Sequence, residues 1–183
     1  MLIYKITRLL SLAGLLLLFA GCVKDQDFDQ VDEVVIAPRI ETDLVFLKLT
    51  QENFLNSNGE AEVSFVSQST DLSFLQDSFI QNDLTQIDFD FATSNSFRQS
   101  FNTIVTFLDE VGNTVYEFSF FVPGSGNGTA VDFSFKEVIV GEDLLNFKNA
   151  VSMQVSSSII LSGDPIFGEL DFQSKARLYF EFN

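Results

Sequence analysis

Leu170-Asp171-Phe172-Gln173-Ser174-Lys175-Ala176-Arg177-Leu178-Tyr179-Phe180-Glu181-Phe182 is the stretch that decides the fold. Leu170, Phe172, Ala176, Leu178, Phe180 and Phe182 fall on one side of an extended chain, and Asp171, Gln173, Lys175, Arg177, Tyr179 and Glu181 on the other. A strand sends successive side chains to opposite faces, so this run reads as a strand with one face in a core and one in water. Just upstream, Val151, Met153, Val155, Ile159 and Leu161 alternate with Ser152, Gln154, Ser156 and Ser158. Ser162-Gly163-Asp164-Pro165 breaks the chain between the two runs, which predicts that they form a long antiparallel pair.

The same period extends toward the N-terminus. Val131, Phe133 and Phe135 alternate with Asp132, Ser134 and Lys136, and Ile87, Phe89 and Phe91 with Asp88 and Asp90. Phe101 to Asp109 and Thr114 to Val122 read as a hairpin around Glu110-Val111-Gly112-Asn113, where Gly112 is free to take positive φ. A flexible loop is expected over Pro123 to Gly128, a strand over Glu62 to Gln68 after the Asn58-Gly59 turn, and an opening strand over Ile40 to Leu49. Helix is expected only as a turn or two over Gly141 to Lys148, with Leu72 to Leu84 either a short helix or an irregular crossover. Seven or eight half-solvated strands imply two sheets packed face to face. The expected fold is all-β: an antiparallel β-sandwich, Ig-like or jelly-roll-like, with at most one or two short helices. A small barrel is the alternative. With 46% hydrophobic residues, 22 Phe and no Trp, the chain has ample material for one core, expected as a single domain over residues 34–183.

The N-terminus has a different grammar. Lys5 and Arg8 precede a leucine-rich apolar run that ends in Phe19-Ala20-Gly21-Cys22. A basic start, a short apolar stretch and small residues at the exit describe a secretory signal, and the run is too short to span a bilayer core of about 30 Å. Phe19-Ala20-Gly21-Cys22 resembles the bacterial lipobox, with Phe19 standing where Leu is commonest. The resemblance implies cleavage after residue 21, a diacylglycerol thioether on Cys22, and two or three acyl chains, enough for lasting attachment without a membrane helix. Cys22 is the chain's only cysteine. It is followed by Val23-Lys24-Asp25-Gln26-Asp27, and a Lys with acids in this place resembles the surface-export tether of Bacteroidota-type lipoproteins. That likeness implies a tether over residues 22–33, with Lys24, Asp25 and Asp27 routing the protein to the outer surface of the outer membrane. A plain solvated spacer on the periplasmic face is the other reading. The whole layout looks like the small lipoproteins of Bacteroidota, a likeness that implies no activity.

Composition narrows the chemistry. The chain has 10 basic and 26 acidic residues. Loss of Lys5 and Arg8 with the signal brings the net charge near −18, from −16. Nucleic acid is therefore not an expected partner, since phosphate needs basic residues. No His is present, which removes Ser-His-Asp and Cys-His catalysis and the His-Glu-x-x-His zinc site. With its one Cys acylated, the chain has no thiolate either. Gly124 to Gly128 lacks the Gly-Lys-Ser/Thr of a phosphate loop.

Asp88 and Asp90 share a strand face, where they could bind Ca²⁺, act as the acid and base of a glycosidase, or simply be polar surface. Tyr179 on the polar side of the last strand, beside Lys175 and Arg177, is the contact site expected from sequence. The two cations could equally pair with acids across the sheet. No metal and no cofactor beyond the covalent lipid are expected. The expected function is a non-enzymatic cell-envelope binding or assembly module with an envelope protein or a glycan as partner. The alternatives are a carbohydrate-binding component of a surface glycan-uptake system, a carboxylate-based glycoside hydrolase, and a carrier of an apolar ligand.

Overall fold

The computed structural model describes residues 37–62 and 65–182, which belong to one compact unit, Val35–Asn183. Phe19, Ala20, Gly21, Cys22, Lys24, Asp25 and Asp27 lie outside the described residues. Among the described residues eight strands are formed: β1 (Arg39–Thr50), β2 (Phe65–Asp71), β3 (Leu84–Asn95), β4 (Ser100–Leu108), β5 (Thr114–Val122), β6 (Val131–Val140), β7 (Ser152–Ile160) and β8 (Glu169–Phe180). Two short helices interrupt them, α1 (Ser78–Asp83) and α2 (Gly141–Phe147). α2 inserts Leu144 and Phe147 into the core. Among the described residues no helix is long and apolar enough to cross a membrane.

The strands make two four-stranded sheets, ordered β1-β8-β3-β6 and β2-β7-β4-β5. First pairs with last, second with seventh, third with sixth, and fourth with fifth, all antiparallel. This is one long two-stranded ribbon, nested around the β4–β5 hairpin and wrapped over itself so that β3 meets β8 and β4 meets β7. That winding is the jelly-roll form of the sandwich, not the Ig-like one.

It also overturns the expected pairing of the last two runs. β7 and β8 lie in opposite sheets, because the segment between them is a crossover. It spans residues 161–168 and includes Pro165 and two glycines at positive φ, Gly163 and Gly168. A hairpin needs about two to five residues, whereas this length bridges two sheets about 10 Å apart. The β4–β5 hairpin forms as expected, with Gly112 at φ 86°. There the Asp109 carboxylate accepts from the N–H groups of Val111 and Asn113 at 3.0 and 2.8 Å. Of the strand expected over Glu62 to Gln68, residues 63 and 64 lie outside the described residues, and β2 covers Phe65–Asp71.

The core is built of phenylalanine. Phe91 of β3 meets Phe120 of β5 at 5.3 Å between ring centres and Phe172 of β8 at 5.8 Å. Phe107 of β4 reaches Phe89 at 5.0 Å and Phe147 of α2 at 4.9 Å. Tilted and edge-on rings at these separations bring together the quadrupole's positive edge and negative face. Inside the second sheet the buried Thr103 and Ser157 hydroxyls satisfy one another at 2.8 Å. Tyr116 of β5 ties the sheets together by donating its hydroxyl to Glu137 of β6 at 2.6 Å.

Candidate functional site

The residues singled out from sequence meet on the outer face of the β1-β8-β3-β6 sheet. Register places Glu41, Arg177, Asp88 and Val138 in one cross-strand row, and Asp43, Lys175, Asp90 and Lys136 in the next. Lys175 donates to Glu41 at 2.9 Å, and Arg177 reaches the other oxygen of Glu41 at 3.2 Å. Arg177 also contacts Asp90 at 2.5 Å, a charge contact off the line of the N–H rather than an aligned hydrogen bond. Tyr179 is half-buried, and its hydroxyl donates to Asp88 at 3.0 Å.

Asp88 is the hub. Although it points away from the core, it is only 1% exposed, because the arms of its neighbours close over it. Lys136 lies 2.7 Å from Oδ2, and Gln86 donates to Oδ1 at 2.6 Å. Burial pushes the carboxyl's pKa up, the bonds from Lys136, Gln86 and Tyr179 push it down, and the balance lies below the ordinary value. A glycosidase acid needs the opposite, a carboxyl held protonated at neutral pH. Three acids and three bases thus neutralise one another as a brace across four strands. No group of three or more acidic side chains placed to hold a metal occurs among the described residues. Beside the brace, the row Phe46, Gln173, Ala92 and Ser134 lines an open trough of about 490 Å³.

Sequence reasoning missed a second site, at the end of the sandwich where three inter-sheet loops are locked together. Its hub is Asn95, the last residue of β3 and 0% exposed. Its amide donates to the carbonyls of Gln99 at 3.0 Å and Pro123 at 2.8 Å, and its Oδ1 accepts from the Phe97 N–H at 2.9 Å. Ser96 exchanges hydrogen bonds with the backbone of Glu169, and Ser125 donates its N–H to Phe97 at 2.7 Å and its hydroxyl to Ser96 at 3.1 Å. The Pro123–Gly128 loop, expected to be flexible, is therefore pinned at its start. Gly124 packs so closely that a Cβ would stand 2.1 Å from the Arg98 carbonyl oxygen. On this locked base sits Phe167, 74% exposed. Open depressions of about 500 and 430 Å³ flank its ring, sharing Ser96 and Gly168. Arg98 and Asn127 border the first, Gln51 and Glu52 the second. The signal for this site was a Phe between Pro165 and Gly168 in a loop, with Asn95 closing a strand four residues before Gln99.

No protein-family model matches the chain, and no curated protein matches it. Among solved structures, it is similar to a candidate secreted protein from Parabacteroides distasonis ATCC 8503, at 14% identity over 63% of this chain and 38% of that one, with a TM-score of 0.46. It is also similar to the structure of the infectious bursal disease virus Gx strain, at 12% identity over 79% and 32% of the two chains, TM-score 0.46. A further likeness is to the enzymatically active domain of bacteriophage CBA120 tailspike protein 4, at 13% identity over 81% and 19%, TM-score 0.39. The chain spans about a third of the length of the first two, 38% and 32%.

Proposed function

We propose that this chain is a lipid-anchored binding module of the outer membrane, attached through acylated Cys22, displayed at the cell surface through the Lys24-Asp25-Asp27 tether, and taking its ligand at the locked loop end. The observation that carries this reading is the hydrogen-bonded frame around Asn95 beneath exposed Phe167. An aromatic ring held out by a rigid frame loses little freedom on binding, so most of its contact energy goes into affinity. The carboxylates support binding over catalysis, since Asp88 is held ionised and Asp90 and Glu41 are engaged by Arg177.

The test uses the full lipoprotein in detergent on a panel of soluble neutral and anionic polysaccharides, reading retardation in native gels and release of reducing ends. Retardation without new reducing ends is expected, weakened roughly tenfold, or about 1.4 kcal/mol, by Phe167→Ser. Reducing ends that disappear in Asp88→Asn would replace this reading with a carboxylate hydrolase. Retardation unchanged by Phe167→Ser would remove the loop end from the account.

A further inference from the structure

Charge is divided unequally between the sheets. The strands of the β1-β8-β3-β6 sheet carry thirteen charged residues. Those of the β2-β7-β4-β5 sheet carry Asp71 and Glu117 alone, with no Lys or Arg. In a chain of net charge −16, one whole face is thus nearly uncharged. Its outward positions carry mostly Ser, Thr, Asn and Gln, with Ile104 and Ile160 exposed among them, and its two most exposed aromatic residues fall in register. Phe65 of β2 faces Ser158 of β7, Ser158 faces Asn102 of β4, and Asn102 faces Phe121 of β5. Phe65 is 70% and Phe121 52% exposed, one on each edge strand. Three strand spacings separate them, about 14 Å.

We propose that this face binds a neutral polysaccharide lying across the strands from Phe65 to Phe121. The inference rests on the binding-module reading and gives it a ligand class. Charge selects the occupant. Phosphate, sulfate and carboxylate groups find no cation here, which disfavours anionic lipid surfaces, nucleic acids and acidic glycans. A basic partner would be drawn instead to the acids of the other sheet.

A neutral sugar chain presents what this face can meet. Its C–H faces suit the two Phe rings, and its hydroxyls suit the Ser and Asn side chains between them. A second copy of the chain fits less well, because dimer interfaces have a more apolar core, and here Ser158 and Asn102 stand between the two Phe rings along the row. The row also adjoins the loop end. Phe65 opens β2, Phe121 lies one residue before the end of β5, and Asn102 is the third residue of β4.

The test is retardation of the full lipoprotein, in detergent, in native gels containing a neutral β-glucan or, separately, alginate. The β-glucan should retard it and alginate should not. The double variant Phe65→Ser/Phe121→Ser should need roughly tenfold more glucan for half-retardation, two ring contacts being lost. Phe65→Tyr/Phe121→Tyr should restore binding, and Val111→Ser at the hairpin tip should leave it unchanged. Circular dichroism melts of all variants separate lost binding from lost folding. Glucan binding that depends on Phe167 and not on Phe65 or Phe121 would overturn this inference and leave the loop-end reading standing. Alginate binding equal to or stronger than glucan binding, or no retardation by glucan, would overturn the ligand class. Release of reducing ends would overturn the binding-module reading itself.

Discussion

Asn95→Ala is expected to lower the unfolding free energy by on the order of 3 kcal/mol, at the upper end of what single substitutions cost. The side chain is fully buried and serves three backbone groups: the Phe97 N–H and the carbonyls of Gln99 and Pro123. Alanine leaves all three without that partner, and each buried polar group stripped of its bond costs about 1–3 kcal/mol. Part of this is recovered if the loops open and let water in, and that opening is itself measurable. The amides of Phe97 and Ser125 should lose hydrogen-exchange protection, while those in the middle of β3 and β8 keep theirs. A variant as stable as wild type, with Ser125 still protected, would mean that the loops are held by something other than Asn95.

Asp88→Asn is expected to cost about 2 kcal/mol at pH 7, within the range for a disrupted buried polar group. The isosteric amide keeps an acceptor for Gln86 but turns an N–H₂ toward Lys136 and Tyr179, both of them donors to the native carboxylate. The effect should depend on pH with a definite sign. The folded pKa of Asp88 is depressed, so its contribution is fully present above the unfolded value, near 3.9. It is lost as the pH falls through the folded value, where the carboxylate takes up a proton in both states. Urea denaturation of both proteins should show a constant gap from pH 7 to about pH 5 that closes below about pH 4. A gap that widens in acid would contradict an ionised Asp88 at the centre of the brace.

The strands were readable in the sequence because a half-buried strand repeats every two residues, and β8 does so almost without interruption. Pairing was less readable. β7 and β8 are adjacent in sequence, and adjacency suggested a hairpin, but their ladders run to β2 and β4 and to β1 and β3 instead. Only the length of the connecting segment hinted at a crossover. Asp88 could be assigned to the outer face, but not its burial there, which comes from Lys136 on β6 and Tyr179 on β8, 48 and 91 residues away. The nearly uncharged sheet was visible in composition, since β2, β4, β5 and β7 contain no Lys or Arg and only two acids, Asp71 and Glu117. It became a single face only once the topology set those four segments side by side. Phe167 was hidden for a simpler reason: a loop residue has no periodic pattern to reveal it.

The central claim, a surface-displayed module held by acylated Cys22, is tested most directly by protease treatment of intact cells of a diderm bacterium expressing the full chain, beside a Cys22→Ser control. The account predicts that the wild-type domain is removed from intact cells, and that the Ser form stays unprocessed and never reaches the surface. A domain protected until the outer membrane is breached would contradict surface display and turn attention to periplasmic partners. A Cys22→Ser protein processed and located like wild type would contradict the lipid anchor itself.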